Sequence, residues 1–270
     1  MFSSWRDKRR SIMVLILVVF VILYIFYKSY SNLFPTETCF DGIKNNNERG
    51  VDCGGYCQLI CPFDISPLQI KFAKAVETEK DLYDLVALIQ NNNQAQNPMD
   101  GKINYSFTIY DKAGQILETM NGSTTIPLAQ DFPIILQNIF LPLSESENSI
   151  SRVQFKILND KVWDKVDSSF SQVFFKTMDY DFENGKGNGV DVTQLSTQVE
   201  NLTRNYFRNI PVKAILYDRL NNVIGVNESL IDEISGEEIK KVSFTWRNIF
   251  KQNPDKIDFY PIVTPSTYFR

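Results

Sequence analysis

The chain has 270 residues, 43% hydrophobic and 22% charged, a composition of folded rather than disordered protein. It contains no histidine, which excludes Ser-His-Asp triads, Cys-His dyads and imidazole metal sites. An enzyme becomes less expected, although carboxylate or lysine chemistry stays open. The net charge is −4, and Met1–Arg10 carries Arg6, Lys8, Arg9 and Arg10 against Asp7, so the rest sums to −7. An acidic remainder without a basic stripe argues against nucleic acid as a partner.

In chain order, residues 1–10 read as a basic cytoplasmic tail and 11–27 as a transmembrane helix. Ser11–Tyr27 holds 17 uncharged residues, about 25 Å of helix and near the short end of a bilayer core. Tyr24, Phe26, Tyr27 and Tyr30 gather at its C-terminal end, where Lys28 can snorkel, and Trp5 marks the opposite interface. Four basic residues precede the span and only Lys28 closely follows, so the N-terminus is expected in the cytoplasm and the rest outside. A cleaved signal peptide, with Ser29 and Ser31 as the small residues at −3 and −1, is the competing reading. The apolar run is longer than a usual signal core and no A-x-A sequence follows, which favours an uncleaved anchor with the lipid bilayer as its partner.

A linker at 28–38 leads to Cys39, Cys53, Cys57 and Cys61, all the cysteines of the chain. An even, clustered count in an exported segment predicts two disulfides, with three connectivities open. Residues 39–61 are too few to bury a core, so cross-links stand in for one. A zinc knuckle is the alternative, disfavoured by an oxidising compartment and by the 39-to-53 spacing. Asp41, Asn45, Glu48 and Asp52 place hard oxygen atoms close together, either for calcium or for capping turns through bonds to the backbone; the spacing is not that of an EF-hand. No other cofactor is implied. The stretch resembles the motif C-x-D-G-I-x-N-x-x-E-x-G-x-D-C-G-G of microbial surface and secreted proteins. Cys39, Asp41, Gly42, Ile43, Asn45, Glu48, Gly50, Asp52, Cys53, Gly54 and Gly55 carry that resemblance, which implies export rather than a particular activity.

Beyond it the pattern becomes that of strands. Ile103, Tyr105, Phe107 and Ile109 alternate with Asn104, Ser106 and Thr108, the signature of a strand buried on one face. It runs into Tyr110-Asp111-Lys112-Ala113-Gly114 and a restart at Ile116. A second copy lies 107 residues on: Val212, Ala214 and Leu216 alternate with Lys213, Ile215 and Tyr217, followed by Asp218, Arg219, Leu220 and Asn221. Gly114 and Asn221 share one register, and both types tolerate positive φ in a turn. Gln90-Asn91 before the first hairpin echoes Glu200-Asn201 before the second, and Asn138-Ile139-Phe140 echoes Asn248-Ile249-Phe250. Duplication accounts for these matches better than chance.

The expected fold class is therefore an all-β ectodomain. It comprises two tandem immunoglobulin-like β-sandwiches, at 62–160 and 161–270, after one N-terminal transmembrane helix and a small disulfide-rich motif. A charged link at 159–167 carries Trp163, expected to pack between the domains. Phe107-Thr108-Ile109-Tyr110-Asp111 resembles the FxLYD family, and Ala214–Asp218 is similar to a divergent version of it. That resemblance implies late-embryogenesis-abundant-type or immunoglobulin-like sandwiches without catalysis.

Three other features are weighed. Asp179–Asp191 has calcium-loop composition, but Asn184 and Val190 stand where an EF-hand needs Gly and Glu, so a hairpin loop is expected. Asn104, Asn121, Asn201 and Asn227 lie in N-x-S/T sequons. Phe170, Phe174, Phe175 and Tyr260 form either core or a binding face. The expected function is a non-enzymatic, membrane-anchored surface or envelope protein whose sandwiches act as spacers and as interaction modules for other envelope proteins. A calcium-dependent adhesion or ligand-binding module is the alternative, and a carboxylate-based envelope enzyme a more distant one.

Overall fold

Residues Trp5–Leu33 form one helix, α1, in the computed structural model of the chain. The structure describes residues 5–33, 38–45, 47–93, 99–127, 130–142, 150–158, 162–165, 174–185, 192–264 and 267–269. Two units are distinguished, Met1–Gln58 and Leu59–Arg270.

In the first unit, Lys8–Ser29 of α1 is 22 residues of mostly apolar helix with none of its surface buried in the protein. At 1.5 Å per residue that is about 33 Å, enough to cross a bilayer core. This is the property of a membrane anchor or of a signal sequence. The helix extends beyond the 17-residue apolar run at both ends, because flanking charged and polar residues continue a helix as readily as apolar ones. The Arg9 guanidinium stacks 3.6 Å from the centre of the Trp5 ring. The unit then continues into the cysteine segment.

The second unit is built of strands in four antiparallel sheets. Sheet I has the order β1 (Gln69–Glu79), β2 (Leu82–Gln90), β5 (Phe132–Phe140). Sheet II is β4 (Ile116–Ile126), β3 (Met99–Tyr110), β6 (Arg152–Ile157), with β7 (Val162–Lys165) also paired to β3. Sheet III is β12 (Ile239–Trp246), β9 (Thr193–Asn201), β8 (Phe175–Glu183). Sheet IV is β11 (Val223–Ile234), β10 (Tyr206–Tyr217), β13 (Lys256–Pro261), with β14 (Tyr268–Phe269) also paired to β10. Residues Val162–Lys165, read from sequence as part of a charged link, thus hydrogen-bond to Met99–Lys102. The Trp163 side chain lies outside the described residues.

Alternation explains the cores. Ile103, Tyr105, Phe107 and Ile109 of β3 all point inward, as their spacing predicts, against Leu85, Ala87 and Ile89 of β2 and Phe132 and Ile134 of β5. Tyr105, Phe107 and Phe155 pack ring to ring at 4.9–5.8 Å between centroids. A second core lies between sheets III and IV, with Leu195, Val199, Phe207, Val212, Leu216, Phe244 and Trp246. The Trp246 indole donates to Val226 O at 3.0 Å, which satisfies its one polar atom in the interior.

Two strands depart from the one-sided pattern. From Asp84 to Ile89 every residue of β2 is buried, and so is Ala214–Tyr217 at the end of β10. The reason is a third cluster, in which Val86 and Leu88 of β2 meet Ile215 and Tyr217 of β10 and Val226 of β11. Sheets I and IV therefore pack face to face, and the faces that would otherwise meet water are covered. Each buried aliphatic side chain there contributes about 1.5–3 kcal/mol. Three hydrogen bonds cross between the halves: Lys213 Nζ to Pro133 O, Gln130 Nε2 to Pro261 O, and Gln137 Nε2 to Asn227 Oδ1, at 3.1, 2.7 and 3.3 Å.

One echo read from the sequence does not hold in space. Asn138-Ile139-Phe140 closes β5 with Phe140 exposed, whereas Asn248-Ile249-Phe250 follows β12 and Phe250 is buried on Trp246 and Gly225. Asn138 instead forms a bulge opposite Asp84, at φ 58°, a backbone conformation that Asn tolerates better than most residues.

Candidate functional site

In the cysteine segment, Cys39 and Cys57 are joined, with Cα atoms 5.5 Å apart; Cys53 and Cys61 are also disulfide-bonded, and no cysteine is free. Tight turns bring the loop back on itself: Gly42, Gly54 and Gly55 have positive φ, and a Cβ on Gly55 would collide with the Asn47 carbonyl. Asp52 itself sits at φ 55°.

The four residues singled out for calcium all face into this loop, each hydrogen-bonded within it. Asp52 Oδ1 accepts from the N–H groups of Asp41 and Gly42, at 2.9 and 3.1 Å, and Oδ2 accepts from Gly42 at 2.9 Å. Asp41 accepts from the N–H groups of Thr38 and Ile43 and from the Asn45 amide. The Asn45 bond, then those from Thr38 and Ile43, hold the Asp41 carboxyl below its ordinary range. Glu48, buried, accepts from the N–H groups of Asn45 and Asp52 through Oε2, while Oε1 lies 3.1 Å from Cys57 Sγ. The arrangement is one of side chains closing turns. Each of the three carboxylates already accepts at least two N–H groups of the loop. Among the described residues, the group of metal-ligand type is Cys39, Glu48 and Cys57, and the disulfide denies it both thiolates. Asn45 Oδ1 is buried without a protein partner.

The two hairpins share three turn bonds. Asp111 N–H donates to Gln115 O, Gly114 N–H to Asp111 O, and Gln115 N–H to Asp111 Oδ1, at 3.0, 3.2 and 2.8 Å. Asp218 N–H donates to Asn222 O, Asn221 N–H to Asp218 O, and Asn222 N–H to Asp218 Oδ1, at 2.9, 3.0 and 2.8 Å. Gly114 and Asn221 take φ of 79° and 60°. Both ladders slip by one residue at the tyrosine, where Tyr110 pairs with Ile116 and Tyr217 with Val223. Upstream, Asn91 and Asn201 are buried, and each carbonyl oxygen accepts the N–H two residues on, from Asn93 and Thr203 at 3.0 Å.

The tyrosines differ in surroundings. Tyr110 is partly exposed, bonded to Gln154 at 2.9 Å and stacked under Arg152. Tyr217 is buried, with Lys256 Nζ 5.1 Å from its ring centre and Phe72 against its edge. Burial, then the charge of Asp258, pushes the Tyr217 phenol up to about 12, and burial pushes the neighbouring Tyr260 higher still. Sequence reasoning missed Asp84, a buried carboxylate whose pKa burial raises against a single bond from Asn138 N–H. Its signal was a lone Asp within the apolar run Leu82–Ile89.

The remaining candidates fall out as follows. Residues 186–191 of the Asp179–Asp191 loop, and Phe170, lie outside the described residues. Within that loop, Asn184 ties to Phe250 and Thr193. Phe174 and Phe175 pack on Phe207 at 5.5 and 5.1 Å and belong to the core. Of the sequons, Asn201 and Asn227 are buried in hydrogen bonds, while Asn104 and Asn121 are exposed on paired strands of sheet II.

No family model matches the chain, and no curated protein matches it. Among solved structures, the chain is similar to a Bacteroides uniformis beta-glucuronidase at 11% identity and a TM-score of 0.20, over 64% of this chain and 22% of that one. It is also similar to the N-terminal CBM22-1-CBM22-2 tandem domain from Paenibacillus barcinonensis Xyn10C, at 8% identity and 0.16, over 74% and 85%. The chain spans less than a quarter of the glucuronidase's length. At TM-scores this low the likenesses carry no argument.

Proposed function

We propose that this is a single-pass, membrane-anchored extracytoplasmic protein, with α1 uncleaved and its basic N-terminal end in the cytoplasm. Its β unit is read as two tandem immunoglobulin-like sandwiches of FxLYD type, arisen by duplication and exposed at the cell surface. They act as a non-catalytic spacer and protein-interaction module. The observation that carries this reading is the succession of parts: an unburied apolar helix, a disulfide-bonded segment, then a β unit. The matched hairpins at Asp111 and Asp218 support duplication, since they share three turn bonds, the positive-φ position and the slip at the tyrosine. The packing of Val86 and Leu88 on Ile215 and Tyr217 supports a stiff spacer, because a flexible tether between halves would leave those faces wet. The missing histidines support a non-catalytic role.

The test is topology followed by partners. In intact cells, external protease should digest a C-terminally tagged chain, and alkaline extraction should leave the protein in the membrane fraction. Photo-cross-linking from surface positions of the β unit should then trap neighbouring envelope proteins. A tag protected from protease would overturn the orientation, and release by alkali would overturn the anchor.

A further inference from the structure

The cysteine segment is built inside out relative to a small soluble domain. Its carboxylates turn inward: Glu48 is buried, and Asp41 and Asp52 are half-buried on backbone N–H groups. Between Phe40 and Tyr56 the large apolar side chains turn outward, with Phe40 89% exposed, Tyr56 76%, Val51 55% and Ile43 53%. Single exposed apolar residues need no explanation, but Phe40 and Tyr56 flank the two ends of the Cys39–Cys57 disulfide, which brings two exposed aromatic residues into one part of the segment.

What lies against these two rings follows from chain length and from their chemistry. Phe40 stands seven residues after Leu33, where α1 ends. Seven residues reach at most about 25 Å when fully extended, so the segment stays near any bilayer that α1 crosses. Aromatic rings are favoured at the headgroup level, where an apolar body and a polar edge are both satisfied.

We infer that the disulfide-bonded segment rests on the outer surface of the bilayer, with Phe40 and Tyr56 set among the phospholipid headgroups. This rests on the reading of α1 as an uncleaved anchor.

The test uses the full chain in mixed phosphatidylcholine–phosphatidylglycerol vesicles, in a Trp5→Phe background. Phe40→Trp and Tyr56→Trp each add one indole, and Leu220→Trp, at an exposed turn of the β unit, serves as the control outside the segment. Non-reducing mass spectrometry checks that both disulfides remain. Lipids brominated near the headgroup end of the acyl chain should quench the added Phe40→Trp and Tyr56→Trp emission several-fold more than that of Leu220→Trp. Equal quenching at all three positions overturns the inference. So does blue-shifted, unquenched emission that grows with protein-to-lipid ratio, which would instead mean contact with a second copy. Alkaline extraction of the same vesicles separates the two failures: release means the anchor reading has failed, whereas retention without quenching means only the docking has.

Discussion

Phe72 and Tyr217 meet edge to face, their ring centroids 6.4 Å apart and their planes at 88°, although one lies on β1 and the other on β10. The contact sits in the cluster that joins sheets I and IV, so both halves of the β unit lean on the same few side chains. Stability of one half is thereby linked to that of the other.

Residues Leu59–Arg270 are accordingly expected to give one cooperative transition in calorimetry. Ile215→Ala, at a fully buried position, should cost roughly 2–4 kcal/mol without splitting that transition. Val86→Asp should split it into two, because an unpaired carboxylate in the same cluster opposes docking of the halves while leaving each half's own core intact. A single transition in Val86→Asp would show that the halves do not fold separately.

At the hairpins, Gly114→Ala should destabilise by roughly 1–2 kcal/mol. A Cβ there meets nothing within 4 Å, so the whole cost is the positive φ. Asn221→Gly at the matching position should be neutral or slightly stabilising. Asp111→Ala removes an acceptor for a turn N–H group and should cost about 0.5–1.5 kcal/mol, and Asp218→Ala should destabilise in the same direction. Urea titration of the four variants checks these values.

Asp84 supplies a pH test with a definite sign. Burial raises its folded pKa, so its contribution is most favourable at low pH and is lost as pH rises through the folded value. Asp84→Asn keeps an oxygen for the Asn138 N–H and removes the buried charge. It should melt higher than the parent at pH 7, by on the order of 1 kcal/mol, with the gap closing toward pH 4. Asp41 and Asp218 have the opposite sign: hydrogen bonds first from Asn45 and from Asn222 lower their pKa values. Their contribution is present at neutral pH and is lost as pH falls through the folded values.

For the cysteine segment, the melting temperature in chelator should equal that in added calcium, since N–H donors already occupy the carboxylates of Asp41, Glu48 and Asp52. A rise with calcium would show that the loop rearranges to expose those oxygens, with Asn45 Oδ1 as the first candidate ligand. Reduction should abolish protection of the Asp41 and Gly42 amides in hydrogen exchange, because the disulfides hold the turn that places Asp52 beneath them.

The sequence by itself determined the local features. The apolar run fixed a helix, the crowded cysteines fixed cross-links, and alternation in Ile103–Ile109 named the inward face of β3. The Tyr-Asp turns with Gly114 and Asn221 were legible because turn chemistry depends on neighbours in the chain. Tertiary structure decided the rest. Val86, Leu88, Ile215 and Tyr217 are apolar on faces that alternation would leave to solvent, and only another sheet packed on them explains it. A one-dimensional pattern records that a side chain is apolar but not what covers it. The same limit applies at Phe40 and Tyr56, whose exposure beside an inward-turned Glu48 only the fold reveals.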